Sequence, residues 1–385
     1  MKILFTIHHH LDPSSGAAGV TLKLGGQFET MGHQVQYLSL DDMPKWLNPG
    51  LKSVFFPFFV FLKVLGTHLG KEVDVVDAST GDAWLWVLFG KRFFKGPLLV
   101  TRSHGLEHCS HRKNLEEAKK GMLGLSWKYG IYHGGIRLHL IAISLRGADL
   151  VFQLNHEDLR FAAEKLKVME DKSYVVPHGL PKSFMGLPVS FSAGDGRSSL
   201  TIALIGSYIN RKGIKYAVPA LERVLIRFPQ VKVLFLGTGS SEMEVLGDFS
   251  SEVRGRIRVV SRYEHEMLPS LLDRCQIHLF ASLSEGFGLT LLESMACGLA
   301  PVATKIAGPV EFVEDGENGI LIRSSDSSAI EAALVRFITD RKFLKEIRTA
   351  AYGTAQQYSL EKCASRQLSL YESGLMSSRI PQMNP

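Results

Sequence analysis

Hydrophobic and polar positions along this chain follow two alternating patterns. Short apolar runs, typical of buried strands, are followed by longer segments with an apolar residue at every third or fourth position, typical of helices. In the first half the predicted strands lie at residues 3–7, 35–38, 73–76, 98–101, 150–154 and 174–176. In the second half they lie at residues 200–205, 231–236, 257–260, 277–281, 301–304 and 320–322.

The alternation of strands and helices predicts an α/β fold, with parallel sheets covered by helices on both faces. A Gly- and Ser-rich stretch at 190–199 is typical of a linker. We therefore expect two doubly wound Rossmann-like domains that face each other across a cleft. The predicted domains are residues 1–185 and 186–360, and a C-terminal helix within 361–385 packs back toward the first domain before a tail. Such sheets bind ligands at the carboxyl ends of their strands.

Composition narrows the class of protein. Of the 385 residues, 45% are hydrophobic and 21% are charged, which is ordinary for a globular protein with two cores. The four Cys have no paired spacing, so we expect no disulfide framework and a cytoplasmic location. The N-terminal apolar run is a short strand rather than a signal peptide. No apolar run is expected to reach transmembrane length.

The net charge of +6 is concentrated in one region. Residues 91–150 hold 11 Lys and Arg against 4 Asp and Glu. This excess favours a polyanionic partner or an anionic membrane surface, or it is a solvated basic face. No nucleic-acid-binding module accompanies the charge, so nucleic acid is not an expected partner.

The most apolar run spans residues 55–62, between Lys52 and Lys63. Two interpretations stay open for it. It touches a membrane that presents a lipid-linked acceptor, at the inner face of the membrane. Alternatively, it is a helix buried against the N-terminal core.

The segment 284–298 carries the strongest chemical signal. Glu285 and Glu293 lie eight positions apart, and Gly286 and Gly288 follow the first of them. A strand precedes the glycines and a helix follows them, which is the arrangement of a phosphate-binding helix N-terminus. Two carboxylates beside an anion site suit a ligand with phosphates and many hydroxyls, such as a sugar nucleotide.

This segment resembles the signature of family-4 glycosyltransferases, which are retaining enzymes of the GT-B fold. In that family the first Glu holds hydroxyls of the donor sugar and the second holds the ribose of the nucleotide. The resemblance assigns these roles to Glu285 and Glu293. It implies donor contacts in the intervening loop and helix start, at Gly286, Phe287, Gly288, Leu289 and Thr290. The alternative is an ordinary helix with a surface Glu at each end.

A second segment, Gly206 to Gly213, lies between a strand and a helix and contains Arg211 and Lys212. Arg forks onto phosphate oxygens and Lys supplies a compact positive charge, so the pair suits a diphosphate. The segment is similar to the family's strand–Gly–Arg–…–Lys–Gly pattern. Lys212 matches the family Lys, whereas Ser207 stands where the family has Arg. We expect Arg211 to take over that role.

The resemblance also implies roles for residues elsewhere. His104, at the end of a strand, matches the family's His that contacts the donor sugar near the reacting carbon. Gly16 and Ala17 lie in the stretch that resembles the glycine-rich loop over the diphosphate and the acceptor. Arg262 and Tyr263 lie where family members hold the nucleotide base.

Three histidines, at positions 8–10, follow the first strand. They either line an acceptor site or cap that strand. Another set, His104, His108 and His111, has spacings that could bind a metal, but no supporting pattern surrounds them, and no metal site is expected.

The function implied is transfer of a sugar from a nucleoside-diphosphate donor, of UDP or GDP type, to an acceptor hydroxyl. The anomeric configuration is kept, and the acceptor is a saccharide, a glycolipid or a lipid-linked sugar. Cations and a helix N-terminus would stabilise the leaving diphosphate, and no Asp-x-Asp pair is present, so no metal or other cofactor is expected. The alternatives are a sugar-nucleotide epimerase of similar fold and a non-catalytic nucleotide-sugar-binding or scaffold protein.

Overall fold

The computed structural model describes residues 1–13, 15–70, 72–94, 96–191 and 199–379. The chain divides into two compact units, which we call unit 1 (residues 1–179 and 360–385) and unit 2 (residues 180–359). Unit 2 begins at Leu180, where the backbone N–H donates to the carbonyl of Tyr358 at 2.7 Å. Most of the predicted linker, and the predicted tail from residue 380 onward, lie outside the described residues.

Unit 1 contains a parallel six-stranded sheet with the strand order β2-β1-β3-β4-β5-β6. Its central strands are buried along their whole length, because helices cover both faces. The strands are β1 (Lys2–Ile7), β2 (Gln34–Ser39), β3 (Val75–Ser79), β4 (Leu98–Arg102), β5 (Leu150–Gln153) and β6 (Ser173–Val175). The helices are α1 (Gly16–Thr30), α2 (Pro49–Gly70), α3 (Glu107–Lys119), α4 (Arg137–Gly147) and α5 (His156–Leu166).

Unit 2 repeats this architecture with the strand order β12-β11-β10-β7-β8-β9, again with parallel pairings. The strands are β7 (Leu200–Ile205), β8 (Val231–Leu236), β9 (Ile257–Val260), β10 (Ile277–Phe280), β11 (Ala300–Thr304) and β12 (Ile320–Ile322). The helices are α6 (Ile214–Arg227), α7 (Glu242–Gly247), α8 (Ser251–Arg254), α9 (Leu268–Leu272), α10 (Leu289–Ala296), α11 (Ser327–Thr339) and α12 (Arg341–Ala355).

Short turns of tighter or wider helix join these elements. Wider, π-helical segments span Trp86–Gly90 and Tyr129–Ile136. Single 3₁₀ turns span Leu40–Asp42, Glu170–Lys172, Lys182–Phe184, Asn210–Lys212, His265–Met267 and Pro309–Glu311.

The last helix, α13 (Leu360–Arg379), belongs to unit 1. Its apolar face packs into the core beneath α1, where Leu368 and Tyr371 join Phe28 and Phe152. The Tyr371 hydroxyl hydrogen-bonds to Asp77, which also forms a buried ion pair with a neighbouring arginine on β4. Packing and a buried polar network thus both fix this helix to unit 1.

The predicted α/β class and the predicted strands are confirmed, with most boundaries within one residue. β3 is shifted, because it begins at Val75 rather than at residue 73. A second correction concerns Gly16 and Ala17. They form the first turn of α1 rather than a loop, since Ser15, in an extended conformation, is already the N-cap.

Helix α2 contains the apolar run 55–62 and is partly buried. Phe56, Val60 and Val64 pack into the core, whereas Phe55 and Phe58 are about half exposed. Its 22 residues are long and apolar enough, by length and composition, to cross a membrane. Of its most apolar window, 28% is buried within the protein. The prediction that no apolar segment reaches that length is therefore wrong by these two criteria.

In each sheet the strand order reverses direction at one point. In unit 1 this point lies between β1 and β3, and in unit 2 it lies between β7 and β10. Doubly wound sheets bind their ligands outside the carboxyl ends of the strands at such reversals. The segments that follow these four strands are therefore the expected positions of a ligand-binding site.

Candidate functional site

In unit 2 the segment after β7 is held against the segment after β10. Gly213 has φ +72°, and a Cβ there would lie 1.9 Å from the carbonyl oxygen of Ala281, so no other residue fits. The backbone N–H of Leu283 donates to the carbonyl of Arg211 at 2.8 Å. These backbone contacts fix the Arg211–Lys212 pair beside the loop that carries Glu285.

The two predicted cations and the first predicted carboxylate converge. Lys212 Nζ donates to Glu285 Oε1 at 2.6 Å, and Arg211 donates to the same oxygen at 3.2 Å. The hydroxyl of Ser282 also donates to it, at 3.0 Å. Burial raises the pKa of Glu285, but Lys212 and Arg211 outweigh it and leave the pKa below its usual value. The carboxylate is therefore ionised and paired.

Lys212 is enclosed on its other sides. Its ammonium lies 5.5 Å from the centroid of the Phe280 ring, within the range of a cation–π contact. Gly206, which directly follows β7, leaves room for the stem, because Lys212 Cε lies 3.2 Å from where a Cβ would be. The side chain of Lys212 is 16% exposed, whereas that of Arg211 is 50% exposed. The side chain of Lys212 is thus more enclosed than that of Arg211.

Helix α10 begins at the same loop. Its N-cap is Gly288, with φ +89°, which offers no side-chain acceptor to the first turn, and no acidic residue lies in that turn. The positive end of the helix dipole is therefore not neutralised by its own cap, as an anion site requires. Gly286, Leu289 and Thr290 are partly exposed at this helix start. Phe287 is instead buried against Phe312, at 5.2 Å between ring centroids.

Glu293, the second predicted carboxylate, lies on α10 with its side chain 3% exposed. His265 Nε2 donates to its Oε1 at 2.6 Å. Burial, together with the charge of Glu293, raises the pKa of Tyr263. Arg262 is exposed. Of the two residues predicted for the base, the structure therefore associates Tyr263 with Glu293.

His265 was missed by the sequence analysis. It follows Tyr263 by two positions, so the segment was identified, but its side chain was not. The contact joins residues 28 positions apart, and a hydrogen bond of that kind leaves no periodic trace in a sequence.

The remaining predicted residues belong to unit 1. His104 follows β4, and both of its ring nitrogens are buried without a hydrogen-bond partner among the residues that the structure describes. Its ring stacks 6.0 Å from that of His178. Burial first, and then the charges of His178 and Arg102, hold the pKa of His104 well below its ordinary value. His104 is therefore a neutral imidazole.

Gly16 and Ala17 lie at the N-terminus of α1, and no atom lies within 4 Å of where a Cβ of Gly16 would be. The space at Gly16 is open, and the predicted role of the two residues stays a prediction.

Over the described ranges of the chain, no group of three or more His, Cys, Asp or Glu side chains could hold a metal ion. His111 Nδ1 instead lies 3.1 Å from the hydroxyl of Tyr129, and the His108 ring lies 6.0 Å from that of Phe161. The expectation that the reaction needs no metal stays a prediction.

Parts of this chain are similar in sequence to known proteins. Residues 194–354, nearly all of unit 2, match the family described as Glycosyl transferases group 1. An uncharacterized glycosyltransferase of Methanocaldococcus jannaschii is 22% identical over 204 residues, which span 53% of this chain and 54% of that protein. The phosphatidyl-myo-inositol mannosyltransferase of Mycolicibacterium smegmatis is 24% identical over 393 residues, which cover 97% of this chain and 94% of that protein.

Solved structures show the same two-domain fold. Sucrose-phosphate synthase from Thermosynechococcus elongatus superposes with a TM-score of 0.80 at 17% identity, covering 98% of this chain and 99% of that one. HepE from Anabaena, solved in complex with UDP, gives a TM-score of 0.71 at 18% identity, covering 97% and 100%. The fold is therefore GT-B.

Fold and partial sequence match together describe what the chain is similar to. The chain has the GT-B fold, and residues 194–354 match the group 1 glycosyltransferase family. That match covers less than half of the chain, and the two relatives named above are 22% and 24% identical to it.

Proposed function

We propose that this protein is a family-4 retaining glycosyltransferase that moves a sugar from a nucleoside-diphosphate donor, of UDP or GDP type, to an acceptor hydroxyl without a metal ion. One observation carries the proposal. Lys212 and Arg211 converge on Glu285 beside the uncapped N-terminus of α10, at the strand-order reversal of unit 2. This combination of cations, helix dipole and carboxylate suits a sugar diphosphate.

The geometry divides the work among these groups. When the bond between sugar and diphosphate breaks, negative charge develops on the diphosphate, and Lys212, Arg211 and the α10 dipole stabilise it. In the free protein Glu285 keeps the two cations paired, so none of the three charges is left buried alone. On donor binding the phosphates take the cations, and Glu285 accepts hydrogen bonds from the sugar hydroxyls.

Glu293 completes the donor site by holding the ribose. Its buried carboxylate has one oxygen bonded to His265, which leaves the other to accept from a ribose hydroxyl. The solved HepE complexes contain UDP and UDP-glucose, which supports a nucleotide-sugar donor for a chain of this fold. His104 of unit 1, a neutral imidazole, keeps its predicted role of contacting the donor sugar.

The test is to measure donor turnover with purified protein. UDP-, GDP- and ADP-glucose and GDP-mannose are incubated in excess EDTA, release of nucleoside diphosphate is followed, and the product's anomeric configuration is read by proton NMR. The proposal predicts release from one class of donor with retention. An altered sugar nucleotide without release would indicate an epimerase, and binding without turnover would indicate a scaffold protein. Inversion, or turnover abolished by EDTA, would contradict the mechanism.

For the acceptor we propose a saccharide or lipid-linked sugar, reached at the inner face of an anionic membrane. Helix α2 carries a stripe of exposed apolar residues along one face, at residues 51, 55, 58, 62 and 69. Aromatic side chains elsewhere in unit 1 are also exposed, namely Trp46, Phe93 and Trp127. The excess of basic residues at 91–150 accompanies them. Apolar anchors with basic neighbours bind anionic interfaces. The mannosyltransferase relative is, by its name, one that acts on a phosphatidylinositol.

A vesicle assay tests this contact. Sedimentation with vesicles containing 30% phosphatidylglycerol should fall about tenfold in the triple variant Phe55→Ser, Phe58→Ser, Leu62→Ser, because the apolar stripe is lost. Binding should also weaken in high salt. The matched control replaces exposed apolar residues of unit 2, Ile226→Ser and Met243→Ser. Equal sedimentation of the triple variant and the control would contradict membrane contact through α2.

A further inference from the structure

Unit 2 has a surface cavity of about 510 Å³ at the amino ends of strands β7, β8 and β9. Thr201 and Lys232, each the second residue of its strand, line it together with Ile257, the first residue of β9. The donor-site segments of this unit instead follow the carboxyl ends of strands. Because a strand rises about 3.3 Å per residue, Gly206 lies about 16 Å from Thr201 along β7. The cavity is therefore separate from the donor site.

The floor of the cavity is a sheet face with an apolar surface. The odd-numbered residues of β8 belong to the main core of unit 2, so Lys232 and Leu234 lie on the opposite face of the sheet. Leu234 lines the cavity, is 6% exposed, and pairs in register with Arg258 of β9. Leu271 of the short helix α9 also lines it. The cavity thus combines an apolar floor with charged side chains from the strands around it.

The charge around the cavity is one-sided. Four cationic side chains and one acidic side chain line it, namely Lys232, Arg256, Arg258, Arg274 and Asp273. Among the residues that the structure describes, Lys232, Arg258 and Arg274 have no ion-pair or hydrogen-bond partner for their side chains. Asp273 likewise forms no ion pair with them. The protein itself therefore supplies no counter-charge to three of the four cations.

The fourth cation, Arg256, is held in place by backbone. Its Nη1 donates to the carbonyl of Leu225 at 2.6 Å and to that of Phe228 at 3.3 Å, at the carboxyl end of α6. Within the described ranges of the chain, its Nε and Nη2 donate to no other residue. Arg256 is thus oriented before any ligand arrives, and part of its guanidinium is left to bind one.

These features suit a phosphorylated ligand. Like charges around one cavity repel each other, and a bound anion relieves that repulsion. Guanidinium groups fork onto phosphate oxygens, and an ammonium group adds a compact charge. The volume lies within the range of small-molecule sites, which combine apolar walls with a few polar groups. The alternative, a solvated basic face, requires neither a cavity nor an apolar floor.

We propose that this cavity binds the phosphate group of a small phosphorylated molecule, at a site separate from the donor site. Arg258 and Arg274 grip the phosphate oxygens, with Lys232 and the fixed Arg256 beside them. The inference goes beyond the proposed glycosyl transfer and does not depend on it. The same chemistry is offered by a soluble phosphate ester and by the phosphate of a lipid headgroup, and the experiment separates the two.

The experiment uses the full chain at low ionic strength in phosphate-free buffer. Equilibrium dialysis with labelled inorganic phosphate and labelled glycerol 3-phosphate gives the dissociation constant and the number of sites. The cavity variant is Arg258→Gln with Arg274→Gln. Its matched control, Lys342→Gln with Lys345→Gln, removes the same charge from the exposed surface of α12. The melting temperature without ligand shows that each variant is folded, and Lys212→Ala reports on the donor site.

We expect the cavity variant to bind the soluble probes at least about tenfold more weakly than the control, because charged hydrogen-bond donors are lost. Lys212→Ala should keep this binding at the affinity of the wild type. Binding should weaken as salt is added. The rise in melting temperature caused by nucleoside diphosphates should be the same in the cavity variant and in the control.

A vesicle arm identifies the source of the phosphate. Vesicles of phosphatidylcholine with about 30% phosphatidic acid are sedimented with the cavity variant and with the control. Equal sedimentation, with weakened binding of glycerol 3-phosphate, assigns the site to a soluble ester. Sedimentation that falls only in the cavity variant, without saturable binding of the soluble probes by the wild type, assigns it to a lipid headgroup.

Two results would overturn the inference while leaving the proposed function intact. One is that the cavity variant and the control behave alike toward both soluble probes and the vesicles. The other is that phosphate binding is lost in Lys212→Ala and kept in the cavity variant, which would place the phosphate in the donor site. A wild type that binds phosphate in the cavity but binds no nucleoside diphosphate would instead overturn the proposed function and leave the inference standing.

Discussion

The strand-order reversals of the two units occupy the same topological position and hold different chemistry. In unit 2 the segments after β7 and β10 bring Lys212 and Arg211 onto Glu285. In unit 1 the segments after β1 and β3 bring His8 onto Asp82. One reversal presents two cations, and the other presents a histidine paired with a buried carboxylate. The same backbone arrangement thus holds a cationic cluster in one unit and a histidine–carboxylate pair in the other.

Burial has opposite effects on the charge of titratable groups in the two units. In unit 2, neighbouring opposite charges keep a buried group ionised. Glu285 stays ionised because Lys212 and Arg211 offset the cost of burying its carboxylate. In unit 1, burial is instead the largest cause of the low pKa values of His104 and His178, and, joined by the charge of Arg102, it lowers the pKa of His178 to about 3. On the proposed function, the charged groups of unit 2 suit phosphates and the neutral ring of His104 suits an uncharged sugar.

The largest expected effect tests the charged reversal. Lys212→Ala should lower donor turnover by about 10²–10³-fold, because the ion that stabilises the leaving diphosphate is lost. Steady-state kinetics with the preferred donor measures it. Lys345→Ala, which removes an exposed lysine from α12 of the same unit, is the control and should behave as wild type. A Lys212→Ala rate near that of the control would remove Lys212 from the mechanism.

An intermediate effect concerns the second carboxylate of unit 2. Glu293→Ala should weaken binding of the nucleoside diphosphate about tenfold to a hundredfold, since a charged hydrogen-bond acceptor for the ribose is lost. Calorimetry measures the dissociation constant, and Glu314→Ala on the exposed surface is the control. Unchanged affinity in a folded Glu293→Ala protein would show that the ribose is held elsewhere.

The smallest effect concerns a buried, neutral histidine of unit 1. His178 has a pKa of about 3 in the folded protein and the ordinary value of 6.5 when unfolded. Below pH 6.5 the unfolded chain therefore takes up a proton that the folded protein refuses. The stability associated with this neutral ring is present above pH 6.5 and is lost progressively as pH falls toward 3.

His178→Gln should accordingly be less sensitive to acid between pH 6.5 and 5. Urea unfolding at several pH values gives the proton uptake, which should fall by up to one proton per molecule relative to the wild type. His10→Gln on the surface is the control. An identical pH slope in His178→Gln and in the wild type would mean that His178 is charged in the folded protein.

The sequence predicted the fold well because strand and helix periodicities are local. Lys212 and Glu285 were also predicted, since each lies in a compact segment beside a strand end. The pairs His8–Asp82 and His265–Glu293 join residues 74 and 28 positions apart, and no local pattern records them.

Helix α2 was only half understood from its sequence. The apolar run did not reveal which face was buried, because apolar residues surround the helix on nearly every side.

The central claim is that unit 2 holds a nucleoside diphosphate at Lys212 and Glu293 without a metal. A thermal-shift panel with UDP, GDP, ADP, CMP and NAD in excess EDTA tests it directly, because a ligand that binds only the folded state raises the melting temperature. We predict a rise of several degrees with one nucleoside diphosphate, and no such rise in Lys212→Ala or Glu293→Ala. No shift with any diphosphate, or an equal shift in both variants, would contradict the account.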